Sequence, residues 1–165
     1  MMKSGTNLRP AIVGVGETAY VRGADATPLE MMLEATRAAI ADAGVDVADI
    51  DGIVPPPVYA TAEELAVNLG IDDLRYAVTA HMGGASPTAA IGHAARAVAA
   101  GLANNVLVTC GWNGFTAMRP KPGKRQRRLE ITGLTRTFRD FYRPYGAVMP
   151  AQIYAWIATR YQKLY

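Results

Sequence analysis

The stretch "LRYAVTAHMGGASPTAAIGHAARAVAAGLANNVLVTCGW", residues 74–112, decides the fold. Its first part, "LRYAVTAH" (74–81), reads as a strand. Gly83 and Gly84 make a turn, and Ser86 and Pro87 open a helix running to about Gly101. Proline fits a first helical turn because its missing N–H would have no partner there. "NVLVTCGW" (105–112) then reads as a buried apolar strand. Strand, helix and strand in one run make a crossover unit, which needs a parallel pair.

The same alternation extends upstream. "AIVGVGETAY" (11–20) reads as a buried strand ending in a turn at Gly14, Gly16 and Glu17. "TPLEMMLEATRAAIADAG" (27–44) reads as a helix. Thr27 suits the N-cap, Pro28 the first turn, Glu30 the reciprocal capping position and Gly44 the stop. "IDGIVPP" (50–56) is a short strand stopped by prolines, and "TAEELAVNLG" (61–70) a second helix with Thr61 and Glu64 as its capping pair. The fold class is α/β with parallel crossovers. Three segments are expected: residues 1–112 as an α/β core, 113–149 as an excursion too long for an ordinary connection, and 150–165 as a helix returning to the core. That helix carries Pro150 in its first turn and Ile153, Tyr154, Ile157, Tyr161 and Leu164 on its apolar face.

Length and composition exclude several classes. The 165 residues suit one domain with one full core. No apolar run approaches the roughly 20 residues of a membrane span. "MMKSGTNLRP" lacks the apolar centre of a signal peptide, so the cytoplasm is expected. A single cysteine, Cys110, excludes an internal disulfide and a cysteine zinc site. His81 and His93 are poorly spaced for a metal pair, and no metal is expected. The net charge of +3 is uneven: "RPKPGKRQRR" (119–128) holds six Lys or Arg, and the rest is slightly acidic. The high pI therefore describes one segment, and no nucleic-acid module is visible.

Individual motifs sort by chemistry. "GVGETA" lacks the third glycine and the immediate helix of a dinucleotide fingerprint, so its glycines read as a tight turn. Cys110 sits in an apolar run with no basic neighbour and reads as a buried structural thiol. His93 and Arg96 form a polar stripe on the third helix, with Ile91, Ala95, Val98 and Leu102 on the other face. His81, at the C-terminal end of a strand where α/β sites gather, is the candidate catalytic histidine. The basic block is either a solvated loop or a holder of phosphates.

The pieces "AIVGVGETAY", "TPLEMMLEATRAAIADAGVDVADIDGIV" and "GHAARAVAAGLANNVLVTCGW" resemble the thiolase superfamily, in its sterol-carrier-protein-x and lipid-transfer-protein branch. The resemblance covers residues 10–112 well and 113–165 loosely. It implies the N-terminal half of a two-half fold, a mixed five-stranded sheet with helices on both faces, ending before the last strand of that half. It implies no cofactor beyond coenzyme A carried by the substrate. It also implies a homodimer, an acyl-CoA ligand and, from the aldolases of this branch, a small OB-fold partner protein.

The resemblance also locates the site. A condensing thiolase carries its nucleophilic cysteine at the position of Gly84 here, before Ala85 and Ser86. Without a side chain no acyl-enzyme forms there. Met82 is a thioether and cannot replace it. Ser86 is the expected N-cap, with its hydroxyl engaged. Cys-less relatives are implied to be retro-aldolases that split a bulky, steroid or lipid, β-hydroxyacyl-CoA. The N–H groups of Gly83 and Gly84 would then stabilise an enolate oxygen. Lys124, Arg125, Arg127 and Arg128 would hold the phosphates of coenzyme A, with Arg119 and Lys121 nearer solvent. The alternatives are a non-catalytic acyl-CoA- or lipid-binding scaffold subunit and, third, a conventional acetyl-CoA acyltransferase.

Overall fold

A computed structural model describes residues 9–57, 59–118, 137–147 and 149–165. Two compact units divide the chain, residues 1–126 and residues 127–165. In the first, helices alternate with short strands: α1 (Pro28–Ala43), β1 (Gly52–Val54), α2 (Ala62–Leu69), β2 (Tyr76–Ala77), α3 (Ser86–Ala99), β3 (Val106–Val108) and α4 (Gly114–Met118). The strands form one parallel sheet in the order β2-β1-β3.

The helices start and stop where local chemistry dictates. Glu30 N–H donates to the Thr27 hydroxyl at 3.2 Å, and Thr27 N–H donates to the Glu30 carboxylate at 2.6 Å. These bonds satisfy two donors that a helix start otherwise leaves open. They also hold the Glu30 carboxyl below its ordinary pKa, the backbone bond from Thr27 being the largest cause. Thr61 and Glu64 repeat the device on α2, at 3.2 and 2.9 Å. Gly44 and Gly70 end these helices in the left-handed conformation, φ 66° and 76°.

Helices cover both faces of the sheet. Met32 and Leu33 of α1 and Leu65 and Ala66 of α2 bury against Ile53 and Leu107 on one face. Ala90 of α3 buries against Val54 on the other, with Val106 and Val108 packed alongside. All three residues of β1 are buried, as befits a central parallel strand. Full burial of Met32, Ile53 or Leu65 contributes about 1.5–3 kcal/mol each.

Asp51 ties the sheet together at its N-terminal edge. Asp51 is 7% exposed, and its carboxylate accepts from Asn104 N at 2.8 Å, Asn105 N at 2.9 Å and the Asn104 amide at 3.0 Å. Its main-chain carbonyl accepts from Arg75 N and Tyr76 N. One residue thus sets the approach to β1, β2 and β3 together.

The sheet among the described residues has three parallel strands, with helices on both faces as an α/β fold requires. Two expectations are corrected here. Residues 11–20 form no ladder; Ile12, Val13 and Val15 are exposed. A strand is defined by its partner, and this segment lies on α1 instead. A Cβ on Gly14 would collide with the Ala39 carbonyl oxygen, and one on Gly16 with that of Ala35. The glycines therefore serve close approach to the helix, and Val15 N–H donates to Asp42 at 2.9 Å. On α3 the buried side is Ser86, Ala90 and Ala97, while Ile91, and Leu102 just beyond the helix, are exposed, because small side chains let the helix sit close to the sheet.

In the second unit a π turn (Phe138–Tyr142) and a 3-10 turn (Arg143–Tyr145) precede α5 (Pro150–Leu164). Gln152 caps α5, accepting from Met149 N at 2.9 Å and donating to the Gly146 carbonyl at 3.0 Å. Tyr154, Ile157, Tyr161 and Leu164 on α5 are exposed. Among the described residues no helix is long and apolar enough to cross a membrane.

Candidate active site

The candidate site is the turn that feeds α3. Gly83–Ala85 form a single 3-10 turn that leads directly into the helix. Ser86 fixes it: the hydroxyl accepts from Met82 N at 2.9 Å and donates to the Gly83 carbonyl at 2.7 Å. Ser86 is thus the first helical residue and not the N-cap, which corrects its expected place; the cap position falls to Ala85. At 3% exposure and with both hydrogen-bonding roles filled, Ser86 is a poor nucleophile.

Gly83 takes φ +57°, a conformation that favours glycine. The N–H groups of Gly83 and Gly84 make no hydrogen bond among the described residues. They stand at the start of a 14-residue helix, where the macrodipole and open donors favour negative charge. An oxygen that gains charge in a reaction is the group such a turn can receive.

His81, two residues before Gly83, is exposed and makes no hydrogen bond among the described residues. It lies beyond the end of β2 at Ala77, on the connection and not on the strand. His93 is half-buried on α3. The cationic block with Lys124, Arg125, Arg127 and Arg128 lies outside the described residues, as do Arg119 and Lys121.

Beside the turn is a narrow crevice between the C-terminal ends of β1 and β3 and the first turn of α3. Pro57, Ser86, Pro87, Thr109 and Cys110 line it. Its volume is about 10 Å³, room for one water-sized group. Thr109 is 8% exposed, and its hydroxyl makes no hydrogen bond among the described residues. Cys110 is exposed, not the buried thiol that the apolar run suggested, because the ladder ends at Val108. Thr109 escaped the sequence reading altogether. The available signal was its place just past a parallel strand, on the edge where α/β ligands bind.

Comparison with known proteins finds relatives over most of the chain. No family model matches the chain. The 17-hydroxy-3-oxo-4-pregnene-20-carboxyl-CoA lyase of Mycobacterium tuberculosis is 35% identical over 156 residues, 93% of this chain and 40% of the lyase. The steroid side-chain-cleaving aldolase of Thermomonospora curvata is 32% identical over 156 residues, 94% of this chain and 40% of the aldolase. A solved structure, the Ltp2-ChsH2(DUF35) aldolase, superposes with a TM-score of 0.73 at 29% identity, over 94% of this chain and 38% of that one. The chain thus spans about two fifths of the length of the curated relatives it matches. With its α/β order and its Gly83–Gly84 turn, the chain is thus similar over more than nine tenths of its length to a steroid side-chain-cleaving aldolase and a steroid carboxyl-CoA lyase, and to the solved Ltp2-ChsH2(DUF35) aldolase.

Proposed function

We propose that the chain forms part of an acyl-CoA carbon–carbon lyase, which splits a bulky, steroid-like β-hydroxyacyl-CoA by a retro-aldol step. The observation that carries the reading is the likeness to a lyase and an aldolase over more than nine tenths of the chain, joined to a glycine at position 84, where the resemblance to thiolases implies the nucleophilic thiol. The reaction balances without a covalent intermediate. A base removes the hydroxyl proton, and the Cα–Cβ bond breaks to leave a ketone or aldehyde. The electron pair passes to the thioester enolate, which takes a proton at Cα to give the shorter acyl-CoA.

Within this chain, Gly83 and Gly84 N–H would stabilise the enolate oxygen. His81 is the candidate for proton transfer, and Lys124, Arg125, Arg127 and Arg128 for the coenzyme A phosphates. A homodimer, a small OB-fold partner and a cytoplasmic setting belong to the same reading. The double name of the solved neighbour supports a second protein.

The test is incubation of the full gene product, with any protein that copurifies, with a steroid β-hydroxyacyl-CoA. Chromatography should find the ketone and the shortened acyl-CoA, and intact mass should show no acyl adduct. A stoichiometric adduct mapped to Cys110 or Ser86 would overturn the non-covalent route. Tight binding of the ester without cleavage would favour the scaffold-subunit reading.

A further inference from the structure

We infer that Gly84 is a specificity-determining residue: its missing side chain leaves the room that a branched acyl ligand needs at the carbon next to its α position. The inference rests on the acyl-CoA reading above.

The argument starts from what each glycine does. Among the described glycines, six take positive φ, Gly83 included, and five have a neighbour within about 3 Å of where a Cβ would stand. Gly92 meets only the movable end of Arg96. Gly84 alone has neither a positive φ nor any atom within 4 Å. Alanine would therefore fit the turn and reduce the entropy lost on folding. Nothing in the described chain requires a bare Cα there, which leaves what the turn faces as the place for its role.

The surroundings indicate a ligand. Gly84 is exposed, and its N–H has no hydrogen-bond partner among the described residues. Two residues on, Ser86 lines the crevice that also holds Thr109, whose hydroxyl makes no hydrogen bond among the described residues. That hydroxyl stays accessible on the wall of an oxygen-sized recess, a place that suits a ligand oxygen. With the oxygen anchored at the crevice and the turn, substituents on the adjacent carbons would project over Gly84. A β-hydroxyacyl ester of a steroid is crowded at those carbons, whereas a straight-chain ester is not.

The experiment uses two esters that lack the hydroxyl and so cannot be cleaved, butyryl-CoA and 2,3,3-trimethylbutyryl-CoA. Calorimetry on the full chain gives the ratio of Kd for the branched ester to Kd for the straight one. Gly84→Ala should raise that ratio at least tenfold and Gly84→Val further, with a thermal midpoint at or above the parent's for Gly84→Ala. Gly92→Ala should leave the ratio where it is. An unchanged ratio in both Gly84 variants, or an equal rise in Gly92→Ala, overturns the inference. So does a parent that binds neither ester. Turnover of the hydroxylated counterparts by the parent is read separately. A shifted ratio without turnover would sink the lyase reading and keep the role of Gly84.

Discussion

Removing the Asp51 side chain should loosen the whole sheet. The carboxylate receives two backbone N–H groups at 2.8 and 2.9 Å and one side-chain amide at 3.0 Å. Hydrogen bonds to a charged group contribute about 1.5–3 kcal/mol each. Asn104 is exposed, so water replaces much of its share once the acid is gone. Asn105 is half-buried and recovers less. The Arg75 contact, at 3.4 Å with that side chain 48% exposed, adds under about 1 kcal/mol. Asp51→Ala should then cost roughly 2–4 kcal/mol, taking about one full charge-assisted bond and part of a second. In a chain of this size 1 kcal/mol moves Tm by about 2–4 °C, so the midpoint should fall by roughly 5–15 °C. Urea unfolding followed by circular dichroism, with calorimetry for Tm, measures it. Arg75→Ala should lose under about 1 kcal/mol in the same assay. A loss below about 0.5 kcal/mol for Asp51→Ala, or an equal loss for Arg75→Ala, would refute the view that the backbone donors carry the knot.

Three further outcomes follow from other sites. Gly16→Ala forces a methyl into the α1 backbone at Ala35 and should cost about 1–3 kcal/mol in the same unfolding assay, without changing ligand selectivity. Thr36 is 2% exposed and its hydroxyl has no partner among the described residues, so Thr36→Val should match or exceed the parent's stability, by up to about 1 kcal/mol, in calorimetry. Glu30 is held below its ordinary pKa in the folded chain, so its capping contribution is complete above the unfolded value and lost as pH falls through the folded one. Acid titration of the helical signal should show that loss in the parent and not in Glu30→Gln.

The sequence displayed what local chemistry controls. Thr27, Pro28, Glu30 and Gly44 marked α1 at both ends, and Thr61, Glu64 and Gly70 marked α2, because a cap involves residues three or four apart. Pairing is not local. Residues 11–20 have strand composition but no ladder, and nothing within "GVG" distinguishes a tight turn from close approach to a helix 20 residues on. The end of β3 at Val108 was equally hidden, since "VLVTC" stays apolar past it, and Cys110 was misplaced for that reason. On α3 the larger residues drew the reading to the wrong side, whereas packing density selected the alanines. For the site, the position of the turn was legible and its hydrogen bonds were not. Ser86 suited a cap by residue type, but its hydroxyl closes the preceding turn.

The strand order β2-β1-β3 also constrains the order in which the chain can be made. The central strand is synthesised first, and both of its neighbours come later. Val106 leaves the ribosome roughly 50 residues after Val54, which at 5–20 residues per second is about 3–10 s. Throughout that interval "GIVPPP" has no β3 beside it, and Asp51 has no Asn104 or Asn105 to bind. The two capped helices can form meanwhile, since their stabilising bonds lie within themselves. A nascent chain of this protein should therefore present helices early and an open apolar strand edge late, which is the form that holding chaperones recognise.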